Sequence, residues 1–244
     1  MLPPTRIAPP DLSDPAARRA LREDFAQVEA WVFDLDNTLY PYTPGLWTEA
    51  EANMTRYIGD LLGLDLEAAR QLQHDYLEEY GLTARGLAIH HGVDPVAFMA
   101  ETHDHVPIET VAPDPALAEA LAALPGRLFV HTNAHPTHAE RLLKRVGIDG
   151  LFARVFTVAD LDHEPKPNRR AFELAAERGG YDPRRAAMFE DAARNLLIPH
   201  EMGMRTIYVP SPSPWAQKGA DGPQIAHVAP DLTRFLQTLT AQED

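Results

Sequence analysis

Short apolar runs, too brief to be buried helices, punctuate this chain. They are "AWVFDL" (30–35), "RLFVHT" (127–132), "ARVFTV" (153–158), "AAMFE" (186–190) and "RTIYV" (205–209). A strand with one wet face alternates polar and apolar residues, so a continuous apolar run of this length reads as a strand covered on both faces. From residue 125 onward these runs alternate with segments of helical period. In "HPTHAERLLKRVGI", for example, Ala139, Leu142, Leu143 and Val146 share one face. Strand alternating with helix predicts an α/β fold, a Rossmann-like parallel sheet with helices on both faces.

The stretch 45–110 breaks the alternation, since it holds no convincing strand. Trp47, Met54, Ile58, Leu61 and Leu62 follow a helical period, as do Ala69, Leu72, Tyr76 and Tyr80, and two shorter helical patterns follow around "TARGLAIHH" and "PVAFMAET". The expected organisation is an N-terminal extension and helix (1–29), a core made of 30–44 and 111–244, and an all-helical insert (45–110). Within the extension, the proline-rich residues 1–13 read as extended or disordered, and a helix starts at Asp14. "PSPSPW" (210–215) reads as a loop before a last strand "IAHV" and a helix "DLTRFLQTL"; no internal repeat is present.

Lysine and arginine number 22 against 36 for aspartate and glutamate, a net charge of −14, which argues against a nucleic-acid polymer as partner. An anionic ligand must then be drawn in by a local feature such as a metal or one well-placed lysine. With no cysteine, disulfides, thiolate zinc sites and cysteine nucleophiles are excluded together. No apolar stretch approaches 18 residues and the N-terminus lacks a signal pattern, so the expectation is a soluble, cytoplasmic protein without a membrane partner. Oligomeric state is not legible.

In "WVFDLDNTLYP", Asp34 and Asp36 stand just past the first run. Residues i and i+2 of a strand face one side, so the two carboxylates are expected to point to one place, where they repel unless a cation lies between them or one keeps its proton. Strand ends of an open parallel sheet are also where ligand crevices form. The plain alternative is turn chemistry, for which "DNT" is well suited. Three later features match the first pair: Thr132 and Asn133 end the second run, Lys166 lies between two prolines ahead of a helix, and Glu190 and Asp191 end another run with Asn195 close behind. Each has an ordinary explanation, as a helix cap, a solvated loop charge or a helix N-terminus. All of them at the ends of successive strands make those explanations much weaker.

The ordered set "DLDNT", a strand-ending threonine, a lysine and "EDxxxN" is similar to the four motifs of the haloacid dehalogenase-like hydrolase superfamily, most of whose members are magnesium-dependent phosphohydrolases. The helical insert resembles that superfamily's cap domain, and "FDLDNTLYP", "YGLTARGL" and "FEDAARN" resemble its pyrimidine 5′-nucleotidase branch. The resemblance implies that Asp34 is the nucleophile and forms an aspartyl phosphate, and that Asp36 protonates the leaving group and then activates water. It implies that Mg²⁺ is held by Asp34, Asp191 and the backbone carbonyl of Asp36. Thr132 and the amide of Asn133 would hold phosphate oxygens, and Lys166 would offset the charge shared by nucleophile and phosphate. Thr83 and Arg85, near Tyr80, either contact the substrate's base or sugar or form an ordinary polar helix start. The implied activity is that of a magnesium-dependent phosphomonoesterase acting on a small phosphorylated metabolite, a pyrimidine nucleoside 5′-monophosphate being the leading candidate. The alternatives are a phosphatase of phosphoglycolate or a sugar phosphate, a phosphomutase, and a catalytically silent binding module on the same fold. A dehalogenase is disfavoured by Asp36, which superfamily dehalogenases lack.

Two positions depart from the family pattern. Ala192 replaces a usual serine, which is expected to weaken the bonding around the metal, and Asn195 replaces a frequent aspartate. His131, at a position normally apolar, is expected to be a partly buried structural residue. The histidine-rich segments 90–91 and 103–105, with His135 and His138, lack an acid at a spacing that would complete a zinc site.

Overall fold

The computed structural model describes residues 5–103 and 106–241. Six parallel strands form one sheet in the order β3-β2-β1-β4-β5-β6. They are β1 (Ala30–Phe33), β2 (Arg127–His131), β3 (Arg154–Phe156), β4 (Ala186–Glu190), β5 (Arg205–Tyr208) and β6 (His227–Val228). Central β1 shows why its run is unbroken. Trp31 and Phe33 join one core with Leu21, Leu142 and Phe235, while Ala30 and Val32 join a second with Phe172, Leu174 and Leu196. The first core is closed by α1 (Pro15–Phe25), α6 (Pro115–Ala122), α7 (Pro136–Val146) and α10 (Leu232–Thr240), the second by α8 (Arg169–Gly179) and α9 (Leu197–Glu201). The fold is therefore the expected parallel α/β sheet, with helices on both faces.

Between β1 and α6 lie the helices α2 (Pro44–Leu62), α3 (Leu66–Tyr80), α4 (Thr83–His91) and α5 (Pro95–His103). They share a small core of their own built on Ile58, Ala69, Tyr76, Leu87 and Phe98. Gly86 allows α3 and α4 to approach, because a Cβ there would run into the ring of Tyr76. This all-helical layer stands over the carboxyl ends of the strands and closes a cavity with them. No helix among the described residues is long and apolar enough to cross a membrane.

Two local expectations change. Most strands are shorter than their apolar runs: β1 stops at Phe33, one residue before its neighbours β2 and β4 end, and β6 keeps only two residues and ends where its partner β5 ends. At β1 the turn is tight, with Asn37 in the left-handed region at φ 63°. Residues 5–13 contain no helix or strand, yet Ile7 and Leu12 pack on the two cores, so this part of the extension is fixed to the domain; residues 1–4 lie outside the described residues.

Candidate active site

The site grows from the ends of β1, β2 and β4. Asp34 continues the ladder by one bond, its N–H donating to the carbonyl of Phe189 at 2.9 Å, and this sets its carboxylate beside the end of β4. Lys166 reaches it from the loop before α8 and is fully buried. Its Nζ donates to Asp34 Oδ1 and to Glu190 Oε2, each at 2.6 Å. The lysine's backbone is pinned by Asn133, whose side-chain amide donates to the Lys166 carbonyl at 3.0 Å and accepts from its N–H at 2.8 Å. Thr132 is buried, and its Oγ1 accepts from the N–H of Ala134 at 3.0 Å. The remaining oxygen of Glu190 accepts from the N–H of Ala192 and from Asn195 Nδ2 at 3.2 and 3.1 Å. A backbone bond to Ala192 thus supplies one partner where a serine side chain is absent.

Asp34, Glu190 and Asp191 are all buried and offer carboxylate oxygens within 4.8 Å of one another. One lysine faces these three acids. Burial, reinforced by Glu190, pushes Asp34 up to about 8 despite the pull of Lys166. Burial and the charge of Asp34 raise Asp191 well above the usual carboxylate range. Burial works against the charge of Lys166, but Asp34 and Glu190 outweigh it and hold its pKa above the usual lysine range. The acids together exceed the positive charge available to them, and all the donors are hard oxygens with no imidazole or thiolate among them. That donor set fits a divalent cation of the magnesium type.

Asp36 behaves differently from the expectation of two carboxylates aimed at one place. Because β1 has already ended, the strand alternation no longer applies, and the Asp36 side chain swings to other partners. Tyr40 donates to Asp36 Oδ1 at 2.5 Å, and His138 Nε2 lies 3.6 Å from the same oxygen. Burial disfavours the charged form, yet the nearness of His138 and the bond from Tyr40 outweigh it and hold Asp36 below the usual range. Asp34 and Asp36 both line the cavity beneath the helical layer.

That cavity measures about 250 Å³ and has an apolar roof that includes Trp47, Met54, Leu82, Phe98 and Trp215. Thr83 lines it, but its hydroxyl donates to the carbonyl of Gln73 at 3.0 Å. Arg85 is not part of the lining; its guanidinium pairs with Glu164 at 2.6 Å, next to the Lys166 loop. On another side Arg194 lies over the ring of Trp215 and donates to the carbonyl of Leu77 in α3.

Sequence reasoning passed over Glu190, Asn37, Tyr40 and His138 as working residues. Asn37 links the helical layer to the acids, accepting from Trp47 Nε1 at 2.7 Å and donating to Asp191 Oδ2 at 3.3 Å. Tyr40, four residues after Asp36 within one turn, had a readable spacing; His138 had none. His131 is fully buried rather than partly so, with neither ring nitrogen bonded and its ring edge-on to Phe172 at 5.0 Å. Of the histidine-rich segments, Asp104 and His105 lie outside the described residues. His103 and His138 meet edge to face, and the only cluster of possible metal ligands among the described residues is the carboxylate one.

Fold and site together define an α/β protein whose reactive groups gather at the carboxyl ends of a parallel sheet beneath a helical layer. The chain belongs to the haloacid dehalogenase-like hydrolases, whose family model matches residues 28–203. It is 28% identical over 214 residues to phosphate metabolism protein 8 of Saccharomyces cerevisiae, a match covering 81% of this chain and 64% of the yeast protein, just under two thirds of its length. Phosphoglycolate phosphatase of Neisseria meningitidis is 27% identical over 198 residues, 75% of this chain and 80% of that protein. The structure of L-2-haloacid dehalogenase from Xanthobacter autotrophicus superposes with a TM-score of 0.55 at 19% identity, over 88% of this chain and 100% of that one, a likeness of fold.

Proposed function

We propose that this chain is a magnesium-dependent phosphomonoesterase that forms a phosphoenzyme on Asp34 and acts on a pyrimidine nucleoside 5′-monophosphate. The observation that carries the reading is the Lys166 bridge, which takes up one oxygen of Asp34 and leaves the other, Oδ2, available at the floor of the cavity. The likeness to the phosphoglycolate phosphatase of Neisseria meningitidis supports the reaction class.

Asp34 Oδ2 attacks phosphorus, and the bond from phosphorus to the ester oxygen breaks. Asp36, which its partners hold in the charged form in the free site, first takes a proton from the entering phosphate monoester, gives it to the leaving oxygen, and then takes one from the water that releases phosphate. Lys166 stays on Asp34 Oδ1 and offsets charge as the phosphoryl group arrives, while Thr132 and the Asn133 N–H hold its oxygens. Asp34 and Asp191 would hold Mg²⁺, together with the carbonyl of Asp36. When bound, the ion supplies charge stabilisation for the phosphoryl oxygens and balances the surplus of buried carboxylates.

The helices α2–α5, spanning most of 45–110, serve as the cap that selects the rest of the substrate. Their apolar, aromatic lining suits a flat base better than a small, highly charged acid. With its guanidinium held by Glu164, Arg85 supports the cap's seating, and Thr83 contributes wall rather than a free hydroxyl. The test is phosphate release from UMP, CMP, AMP, phosphoglycolate and a sugar phosphate, with Mg²⁺ and with EDTA. UMP and CMP are expected to lead, with activity abolished by EDTA. A lead for phosphoglycolate or a sugar phosphate refutes the nucleotidase assignment and leaves the phosphatase standing. Full turnover in EDTA removes the metal from the account.

A further inference from the structure

Of the two oxygens of Asp36, one is fully engaged. Oδ1 accepts from the hydroxyl of Tyr40 and faces His138 Nε2, and these two partners arrive from different parts of the chain, the turn after β1 and the helix α7. Neither side chain is free to move. Tyr40 is buried and absent from the cavity lining, and His138 is buried with the ring of His103 edge-on to it at a centroid distance of 5.7 Å. The hydroxyl bond is at the short end for O–H···O⁻ contacts, the stronger class of hydrogen bond. Asp36 itself remains open to the cavity, with 18% of its side chain exposed. The carboxyl group is therefore held by one oxygen and presents the other.

We infer that Tyr40 and His138 are positioning residues that clamp Asp36 Oδ1, so that Oδ2 alone carries the proton exchanged with the leaving oxygen and then with water. The inference rests on the phosphatase reading above, in which Asp36 is the proton donor. An unclamped carboxyl rotates about its terminal torsion, which is broad and roughly two-fold, and spends less time with a proton aimed at the ester oxygen. Tyr40 fixes that torsion from outside the cavity, and His138 fixes it from the cavity wall. Tyr40 does not touch the substrate in this arrangement, so its removal should leave binding alone and slow only steps in which a proton must reach the leaving group.

Dependence on the leaving group separates this role from a structural one. An alkoxide leaving group needs the proton, whereas p-nitrophenolate departs without one, so the damage should grow with the pKa of the leaving group. The experiment measures kcat/KM, which reports the steps through phosphoenzyme formation, for glycerol phosphate, phenyl phosphate and p-nitrophenyl phosphate with Mg²⁺. Wild type is compared with Asp36→Asn, Tyr40→Phe, His138→Gln and His138→Leu. Tyr40→Phe is expected to lose about tenfold on glycerol phosphate and less than about threefold on p-nitrophenyl phosphate, with KM little changed. His138→Gln, which keeps a donor, should lose less than His138→Leu, with the same slope across the series. Asp36→Asn should show the steepest slope of all.

If Asp36→Asn is steep while Tyr40→Phe and His138→Leu lose equally on every ester, the two residues only fill space and the clamp is wrong. If Asp36→Asn itself is flat across the series, Asp36 is not the proton donor, and the clamp falls together with that part of the phosphatase reading. A variant that loses its fold would show a lowered thermal midpoint. His138→Gln and Tyr40→Phe are close in size to the residues they replace and keep the comparison available.

Discussion

His131 is the buried last residue of β2 with both ring nitrogens unbonded, and burial holds its pKa well below the ordinary 6.5, with Lys166 nearby acting the same way. His103 is likewise pushed down, to about 4, chiefly by burial. Below about pH 6.5 the unfolded chain takes up protons that these two rings refuse in the folded state. Stability should therefore fall as the pH drops through that window and be regained as it rises. A buried polar ring without partners also costs stability at neutral pH. His131→Leu is thus expected to raise the thermal midpoint at pH 7.5 and to raise it further at pH 5.5; an unchanged or lowered midpoint at both values would count against this account. The sequence placed His131 in a strand position normally apolar but could not say that its nitrogens go unpaired, since that depends on Phe172 and on what packs beyond it. The places of Asp34, Thr132, Lys166 and Asp191 in the chain, three just past strands and one on the loop before α8, were legible because order and apolar runs are one-dimensional facts. The partner His138 of Asp36 was not, since it belongs to a helix about a hundred residues further on.

At the scale of elements, the helical layer was readable from its period, and its seating on the sheet was not. Contacts that join residues 79 and 117 positions apart do the seating: Arg85 with Glu164, and Arg194 with the carbonyl of Leu77. Gly81 lies at φ 78° where a Cβ would come within 2.8 Å of the Lys166 carbonyl, so the start of α4 touches the very loop that aims the lysine. Arg85→Ala is accordingly expected to reduce kcat/KM by a similar factor on every substrate, several-fold given a partly exposed pair, and to leave the preference among UMP, CMP and AMP unchanged. A change of preference in that variant would restore a direct role in recognition. Phe98, which is fully buried and forms part of both the layer's own core and the cavity roof, should behave otherwise. Phe98→Ala should cost about 3–5 kcal/mol of stability, measured by denaturant unfolding, and weaken discrimination among bases. A loss under 1 kcal/mol would mean that the layer packs without it.

For the molecule as a whole, a net charge of −14 repels any anion, and the fold answers this at one point rather than over a surface. The ends of β1 and β4 and the loop before α8 bring three carboxylates, one lysine and a separately held aspartate to the floor of one cavity, so that a dication and a phosphoryl group can complement each other there. Parallel topology was predictable from the apolar runs, and the gathering of these groups follows from it, because every strand of the sheet ends on the same side. What no run of letters conveys is which of the acids share a cation and which are kept apart. The central claim is that Asp34 carries the phosphoryl group, and it can be measured by quenching the enzyme in acid during turnover of UMP with Mg²⁺, reducing any acyl phosphate with borohydride, and mapping the modified residue by mass spectrometry. The account predicts modification at Asp34, none in Asp34→Asn, and a rate for that variant below about one hundredth of wild type. Steady turnover with no modified carboxylate, or modification at another aspartate, would contradict it.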